Sequence, residues 1–384
     1  MKMNLIVFFS ILLVGACSVN DSSIKNNVVL QPSKYHLENG NTVELKLNYS
    51  VVKSLKSINL TNELMVDTGA GTEFLDSAGK YISVYNQQPN DSMGPVSELL
   101  ASRIVGDNII LCYFDHIAVL DLQANQEIKR LEKPSNEAGT KIASISPNGR
   151  YAFAFGRLWD LATNQQHKFY QPGEFVRTAG NGADFSPDNN YLVISADLLT
   201  EGRAQLWDLR DGKLKRTWKH TGLKHAMFGP DGNTIFFIVE KQVDSMWKGY
   251  MEILAYSMQT GSKVGDLTFS SPMSVLPITV DGEYIVTGHK NGDIHVWSYR
   301  TFTAMQNFNA NAAATAMVKD ADGRVWCGFS DGKLVVIENG QFSQVHAFKS
   351  SIRQLAVLKN KLVVEEFTQK DGMLQLFDIA TTGL

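Results

Sequence analysis

One sequence pattern occurs five times at intervals of 40 to 50 residues, and it limits the folds open to this chain. Each copy is an apolar run that ends in a turn built from Pro, Asp, Asn and Gly. The copies read SISPNGR (144–150), DFSPDNN (184–190), MFGPDGN (227–233), ITVDGE (278–283) and KDADGR (319–324). Such periodicity predicts a stack of similar units, because one unit cannot bury both of its faces alone.

A second pattern follows four of these turns and carries an aromatic residue in register. Trp159, Trp207, Tyr256 and Trp297 are 48, 49 and 41 residues apart. Between the two patterns lie β-branched and aromatic runs bounded by D-G, N-G and T-G pairs, which are typical of short strands joined by tight turns. A period of about 40–45 residues with four strands per unit predicts the blades of a β-propeller.

The spacing predicts an all-β propeller of eight four-stranded blades. The units begin near residues 55, 98, 141, 180, 223, 274, 313 and 352. The last unit has no room for a fourth strand, whereas NTVELKLN (41–48) alternates as a strand and belongs to no unit. We therefore expect this segment to close the ring as the outer strand of the final blade. Seven blades are the alternative, if residues 50–95 form an irregular cap.

Two segments, ADLLTEGRAQLWDLRDGK (196–213) and VTGHKNGDIHVWSYR (286–300), resemble the second strand, turn and third strand of WD40 repeats. The resemblance extends over residues 96–384 and, more weakly, over 50–95. It departs from the family where the Gly-His pair is missing from most units and where only Trp159 and Trp207 are followed by Asp. It implies a monomeric propeller that binds partner proteins through the loops at one end of the ring.

The N-terminus reads as a secretory signal, with Lys2 followed by a short apolar run that ends in V-G-A-C (14–17). This ending resembles a bacterial lipobox, which implies removal of residues 1–16 and a lipid on Cys17. Ser18 at the next position then favours the outer membrane of a Gram-negative bacterium, with the protein facing the periplasm. We expect residues 17–34, which are polar, to form a flexible tether, and residues 35–384 to form one propeller domain.

Charge and cysteine content exclude several classes of function. The formal net charge is −3 and no basic run occurs, so the sequence gives no case for nucleic-acid binding. Cys112 and Cys327 lie in separate apolar runs, and we expect two buried free thiols. No Cys/His cluster has metal-ligand spacing.

The stretch LMVDTGAGTEFL (64–75) resembles the active-site loop of retroviral-type aspartic proteases, and RIVGDNII (103–110) resembles their second motif. Such enzymes need two aspartates that share a proton, and the chain has no second Asp-Thr-Gly or Asp-Ser-Gly with apolar flanks. In the repeat register Asp67 falls at the turn between the second and third strands of the first unit. We therefore interpret Asp67 as a turn residue and expect no enzyme.

Other chemical motifs are weak. His220 and His225 lie across a predicted connection between units, and His289 lies in a predicted turn where we expect it to be exposed. Residues 208–218 only approximate the repeat of quinone-binding propellers, and no other unit completes it. The sequence predicts no cofactor and no metal.

An insertion in the fifth unit is the candidate partner-binding loop. The segment VEKQVDSMWKGYME (239–252) carries Met246, Trp247 and Tyr250 among charged residues, and these residue types are enriched at the centres of protein interfaces. The same residues could instead cap their own blade. The predicted function is a lipid-anchored scaffold for unknown envelope proteins. The alternatives are a hydrolase or lactonase with its site in the central funnel, and a small-ligand or glycan binder.

Overall fold

The computed structural model describes most of the chain between Gln31 and Thr381. Within those residues no helix is long and apolar enough to cross a membrane. The described ranges are 31–32, 35–44, 52–58, 63–68, 71–78, 80–85, 99–135, 142–168, 182–196, 202–242, 249–269, 271–273, 277–280, 282–358, 360–367 and 373–381.

The described residues form eight antiparallel sheets in sequence order, which we call blades 1 to 8. The first half of the chain contributes β1 (Gln31–Pro32), β2 (Tyr35–Glu44), β3 (Val52–Ile58), β4 (Glu63–Thr68), β5 (Gly71–Leu75), β6 (Tyr81–Tyr85), β7 (Leu99–Val105), β8 (Asn108–Tyr113), β9 (His116–Asp121), β10 (Gln126–Glu132), β11 (Ala143–Ile145), β12 (Tyr151–Ala154), β13 (Arg157–Asp160), β14 (Gln165–His167), β15 (Gly182–Phe185), β16 (Tyr191–Ala196), β17 (Gly202–Asp208) and β18 (Lys213–His220).

The second half completes the ring. It contributes β19 (Leu223–Phe228), β20 (Thr234–Gln242), β21 (Gly249–Ser257), β22 (Lys263–Thr268), β23 (Ile278–Val280), β24 (Tyr284–Gly288), β25 (Asp293–Ser298), β26 (Ala304–Asn309), β27 (Ala314–Lys319), β28 (Val325–Phe329), β29 (Lys333–Glu338), β30 (Gln341–Ala347), β31 (Ile352–Leu358), β32 (Lys361–Glu366) and β33 (Met373–Thr381).

Blades 1 to 7 each take four consecutive strands from β3 onwards, and blade 8 combines β31, β32 and β33 with β2. We call the four strands of a blade a, b, c and d from the centre outwards. The a strands of neighbouring blades contact one another, so they surround a central channel. The prediction of eight four-stranded blades is confirmed, with each a strand beginning within four residues of its expected position.

The core lies between the blades. In the described part of the chain an apolar cluster fills each of the eight seams between neighbours. Alternate residues of β4 pack into opposite seams. Leu64 and Val66 pack against blade 8, and Met65 packs against blade 2. Because successive side chains of a strand point to opposite faces, the middle of each b strand is mostly apolar and is buried on both sides.

The N-terminal segment closes the ring, as the sequence predicted. β2 pairs antiparallel with β33 as the outer strand of blade 8, although it spans Tyr35–Glu44 rather than 41–48. The pairing shifts between Glu38 and Asn41. Gly40 lies in this irregularity, where a Cβ would meet the ring of Phe377. Residues 45–48 lie outside the described residues.

The same segment also reaches blade 7. Gln31 and Pro32 form β1, which pairs in parallel with Ser343 and Gln344 of β30 as a fifth strand. The hydroxyl of Tyr35 donates to Glu338 of blade 7 at 2.7 Å. Two residues of the expected tether are therefore part of a sheet, and residues 17–30 lie outside the described ones.

Candidate interaction sites on the b–c face and in the channel

The two ends of the ring differ in their connections. At one end strand b turns into strand c and strand d passes to the next blade, and we call this end the b–c face. The other end, the a–b face, carries the a–b and c–d turns.

The hairpin of β20 and β21 in blade 5 extends beyond its own sheet on the b–c face. The last pairs to the flanking strands are Leu223 with Val239 and Thr268 with Glu252. Three further pairs, from Glu240–Met251 to Gln242–Gly249, join only β20 and β21. At a rise of about 3.4 Å per residue the two strands extend about 10 Å further before the tip begins.

The base of this hairpin is fixed to the connection from blade 4. The Glu240 amide donates to the Gly222 carbonyl at 2.8 Å, and the Lys224 ammonium lies 3.2 Å from the Glu240 carboxylate. Gly222 has a φ of 77° and passes so close that a Cβ there would lie 1.9 Å from the Glu240 carbonyl oxygen. The base of the hairpin is thus held by backbone contact with the two-residue connection 221–222, in which only glycine fits at position 222.

The predicted binding residues lie on and near this hairpin. Tyr250 is in β21, opposite Lys241. Met246 and Trp247 come between β20 and β21 in the sequence and lie outside the described residues, as does Cys17. Their roles remain sequence-based predictions.

The b–c connection of blade 1 falls between Thr68 and Gly71, as the repeat register predicted, but the interpretation of Asp67 as a turn residue is wrong, because Asp67 lies in β4 and pairs with Thr72 of β5. Its side chain is 3% exposed and accepts a hydrogen bond from the Thr72 hydroxyl at 3.2 Å. The Tyr113 hydroxyl of blade 2 lies 2.8 Å from the same Thr72 oxygen. Asp67 therefore belongs to a buried polar network in the seam between blades 1 and 2.

His289 lies in the b–c connection of blade 6, but the expectation that it is exposed is wrong. Its ring is 0% exposed, with Nδ1 donating to the Ser271 carbonyl at 3.0 Å and Nε2 lying 3.0 Å from the Thr287 hydroxyl. The Trp297 indole donates to the same hydroxyl at 3.2 Å. Burial lowers the pKa of His289 from 6.5 to about 4, so this chain of hydrogen bonds requires the neutral ring.

Each strand a has one position at the same level, close to the a–b face, and we call these eight positions the belt. Their partners in strand b, such as Ile110, Phe153 and Val193, pack against the next blade, so the belt residues lie on the blade faces that form the seams. From blade 1 to blade 8 the belt residues are Lys56, Arg103, Ser144, Asp184, Met227, Ile278, Val318 and Ala356.

Arg103 and Asp184 interact across blade 3. Burial raises the pKa of the Asp184 carboxyl, while a 2.8 Å hydrogen bond from the Phe228 amide and the charges of His225 and Arg103 lower it. Burial in turn lowers the pKa of Arg103, and Asp184 raises it. Charged side chains on blades 2 and 4 therefore influence each other's pKa.

Sequence reasoning missed this group, although DFSPDNN contains Asp184. The motif identifies a turn, and only the pairing register shows that Asp184 shares a level with Arg103. A charged residue inside an apolar strand-a run was the one available signal.

The described residues give no support for a metal site or for a reactive thiol. No group of three or more His, Cys, Asp or Glu residues there is placed to hold a metal ion. Cys112 and Cys327 are buried free thiols in separate seams, as predicted. Burial raises the pKa of Cys327 well above its usual range, which disfavours the reactive thiolate.

Sequence comparison finds relatives that match one third of the chain, and no family model matches it. A translation initiation factor 3 subunit I of Phaeosphaeria nodorum is 26% identical over 128 residues, or 31% of this chain and 36% of that protein. The SEC12-like protein 1 of Arabidopsis thaliana is 28% identical over 123 residues, or 31% and 29%. The matches thus span less than half of each of these relatives, and both are eukaryotic.

Solved structures share the fold over most of the chain. A computationally designed protein, Ika8, superposes with a TM-score of 0.64 at 17% identity and covers 88% of this chain and 98% of its own. The Dos1 propeller superposes with a TM-score of 0.66 at 10% identity and covers 89% and 95%. The chain has a WD40-like propeller fold, and at these identities the likeness extends to the fold alone.

Proposed function

We propose that this chain is a non-enzymatic scaffold that binds a partner protein on its b–c face through the hairpin of blade 5. The observation that carries the proposal is the extension of β20 and β21 beyond their sheet from a fixed base. A rigid ring that presents such a hairpin loses little conformational entropy on binding. Met246 and Trp247 at the tip are residue types that supply much of the energy of protein interfaces.

The relatives support an interaction role. One of them is named as a subunit of a translation initiation factor, which is a component of an assembly. The shared segment and the WD40-like ring favour protein binding for this chain as well.

Affinity capture tests the hairpin. The full chain and its Trp247→Ala variant are used to capture proteins from cell membranes, and a partner held by the hairpin is lost with the variant. Phe367→Ala is the matched control, because Phe367 is 55% exposed and follows strand b of blade 8 on the same face. A capture profile that Trp247→Ala leaves unchanged overturns the role of the hairpin.

The N-terminal motif supports a location at the cell envelope. We propose that residues 1–16 are removed and that a lipid on Cys17 holds the ring at the outer membrane, on the periplasmic side. Residues 17–30 would connect the lipid to β1 at the rim of blades 7 and 8. Labelling with radioactive palmitate in a bacterial host is expected for the full chain and not for Cys17→Ala, and equal labelling of both refutes the anchor.

A further inference from the structure

The outer strand of blade 4 is more basic than the outer strand of any other blade. β18, which reads KLKRTWKH, carries four Lys or Arg residues and no Asp or Glu. The outer strands of the other seven blades carry no more bases than acids. Lys213, Lys215 and Lys219 are exposed, and Arg216 is half-buried. Because this charge belongs to one blade and not to the repeat, packing of the ring does not explain it.

Part of this charge is balanced by neighbouring groups and part is not. The Lys215 ammonium lies 3.0 Å from the Asp211 carboxylate. The Arg216 guanidinium donates to the Gln259 carbonyl of blade 5 at 3.2 Å, but neither Arg216 nor Lys213 forms an ion pair within the described part of the chain. The rim of blade 4 therefore presents positive charge that no acid of this chain balances there.

β18 also has the longest regular edge among the outer strands. It is the last strand of its sheet, and among the described residues nothing pairs with its outer side. The bulge at Lys215 leaves five consecutive residues, Arg216 to His220, in register with β17. The other outer strands keep at most four in a row among their described pairs. The edge N–H and C=O groups are thus least interrupted where the positive charge is highest.

Blade 7 shows that this ring can accept a fifth strand at its rim. β1 pairs with Ser343 and Gln344, which belong to the regular part of the outer strand of that blade. An added strand gives partners to the edge N–H and C=O groups that it covers. The longer regular edge of blade 4 can take a strand in the same way.

Contacts with blade 5 hold β18 in position. Trp218 is 8% exposed, and its indole donates to the Gly261 carbonyl at 3.1 Å. The Arg216 guanidinium lies over the Trp218 ring, 5.8 Å from its centroid. A Cβ on Gly261 would lie 2.1 Å from Nη1 of Arg216, so this side chain fills the space of a missing one. The edge is ordered before any partner arrives, which lowers the entropy cost of binding.

Lysines on an outer strand also prevent pairing between copies of one protein. In blade 4 this effect and partner binding are compatible, because the charge that repels a second β18 attracts an acidic strand. Protection alone is achieved in other blades with a shorter regular edge and fewer bases. The combination of a long regular edge and a high positive charge favours a specific acidic partner.

We propose that blade 4 binds an acidic, extended segment of another protein, which pairs with Arg216 to His220 as a fifth strand. Main-chain hydrogen bonds supply affinity, and carboxylates placed near Lys213, Lys215 and Lys219 select the acidic sequence. This site at the rim differs from the tip of the blade 5 hairpin and goes beyond the function proposed above. Trp247→Ala should therefore leave binding at blade 4 unchanged, so that either proposal can fail without the other.

Fluorescence anisotropy with the purified full chain tests the site. The probe is a fluorescein-labelled peptide, TEVEETVE, whose β-branched residues favour an extended strand. The control is TKVKKTVK, in which Lys replaces each Glu. We expect the acidic peptide to bind, more weakly at high salt because exposed charges are screened, and the basic peptide not to bind. Failure of the acidic peptide to bind, or equal binding of the two, overturns the proposal.

Backbone N-methylation distinguishes strand pairing from charge attraction alone. Alternate N–H groups of a strand point to opposite edges, so an acidic peptide methylated at every second nitrogen keeps one edge free to pair. A peptide methylated at every nitrogen has the same charge and no free edge. We expect the first to bind and the second to bind at least about 10-fold more weakly. Equal affinities would show that no fifth strand forms.

Charge variants assign the peptide to blade 4. Lys213→Gln combined with Lys219→Gln should weaken binding roughly 2- to 30-fold, as for loss of two exposed ion pairs. Lys263→Gln combined with Lys349→Gln is the matched control, because both lysines are exposed on other blades and the change in charge is the same. Circular dichroism verifies the fold of each variant. Equal losses in the two double variants contradict the assignment.

An anionic membrane is the other surface that a basic strand could attract. Vesicles of phosphatidylglycerol and phosphatidylcholine are sedimented with the full chain and with the variant that lacks Lys213 and Lys219. We expect the two proteins to sediment alike. Vesicle binding that is lost in the variant assigns the strand to a membrane surface and overturns the proposal.

Discussion

Several buried polar residues in this ring hydrogen-bond to one another in small networks. Asp67, Thr72 and Tyr113 bond across one seam, and His289, Thr287 and Trp297 bond within blade 6. Because an unpaired polar group in a seam costs free energy, each network depends on all of its members.

Protonation of His289 is expected to destabilise the fold in mild acid. Its pKa is depressed to about 4, so between pH 6.5 and 4 the unfolded chain binds a proton that the folded chain does not. The free energy of unfolding should fall in this window by up to about 1.4 kcal/mol per pH unit for this one group. The pKa of His295, also lowered by burial, adds to the effect. Urea unfolding at several pH values measures the slope.

His289→Asn is the comparison for that slope. It removes the titrating group, so stability should depend less on pH between 6.5 and 4 even if the variant is less stable throughout. A slope that is the same in both proteins assigns the effect to other groups.

Alanine substitutions at two glycines distinguish the free-energy cost of backbone strain from that of a steric clash. Gly222 and Gly212 both have positive φ, at 77° and 67°, but a Cβ on Gly212 meets no heavy atom within 4 Å. Alanine at either position should cost about 1–2 kcal/mol for the left-handed conformation. Gly222→Ala also pushes on the Glu240 carbonyl, and an added cost of roughly 1–3 kcal/mol is expected.

Urea unfolding gives the two costs, and hydrogen exchange at residues 240–242 reports the hairpin base. Only Gly222→Ala should speed exchange there. Equal effects of the two substitutions would show that the contact with Glu240 does not hold the hairpin.

At the scale of single elements, the outer strands of six blades share an irregularity. Each has one extra residue opposite strand c, at Ile82, Ile128, Lys215, Val264, Met305 and Val345. Such bulges interrupt the row of edge hydrogen-bonding groups and so discourage pairing with other chains. In blade 7 the outer strand is regular from Gln341 to Gln344, and β1 pairs with it there.

Removal of β2 tests ring closure. Deletion of residues 1–44 leaves blade 8 with three strands and uncovers β33, and it removes Tyr35, which is 5% exposed and packs on Trp326. The midpoint of thermal unfolding should fall by at least about 5 °C. Deletion of residues 1–30 keeps both β1 and β2 and is the control. Equal midpoints for the two deletions would mean that β2 does not stabilise the ring.

For the whole molecule, stability resides in the seams, because each blade buries its faces only against its neighbours. The seam between blades 8 and 1 joins the two ends of the repeat array, and its cluster contains Leu64, Val66, Val363 and Leu376. Without this contact the first and last blades would each expose an apolar face.

A pair of substitutions in blade 1 measures the seam. Leu64 is 0% exposed in the seam, and Leu64→Ala should cost about 2–5 kcal/mol of unfolding free energy. Ile82 is 39% exposed at the rim, and Ile82→Ala should change stability by no more than about 0.5 kcal/mol. Urea unfolding followed by tryptophan fluorescence compares them. Similar losses would place the stabilising contacts outside the seams.

The sequence by itself determined the number of blades, the four strands of each and the closure by the N-terminal segment. These follow from local properties, namely turn residues, alternation and a repeat length, which act over a few residues. It also placed an extended b–c connection in blade 5, and it put Asp67 in the b–c turn of blade 1, whereas Asp67 belongs to the strand just before that connection.

Only the tertiary structure decided which residues from different blades meet. Arg103 and Asp184, which influence each other's pKa, are 81 residues apart in the chain. His289 was expected to be an exposed turn residue, but the Ser271 carbonyl and the apolar cluster between blades 5 and 6 enclose it. The physical reason is that register between blades is set by packing in the seams rather than by local preference. Charge, burial and partners inside the ring therefore could not be obtained from one unit at a time.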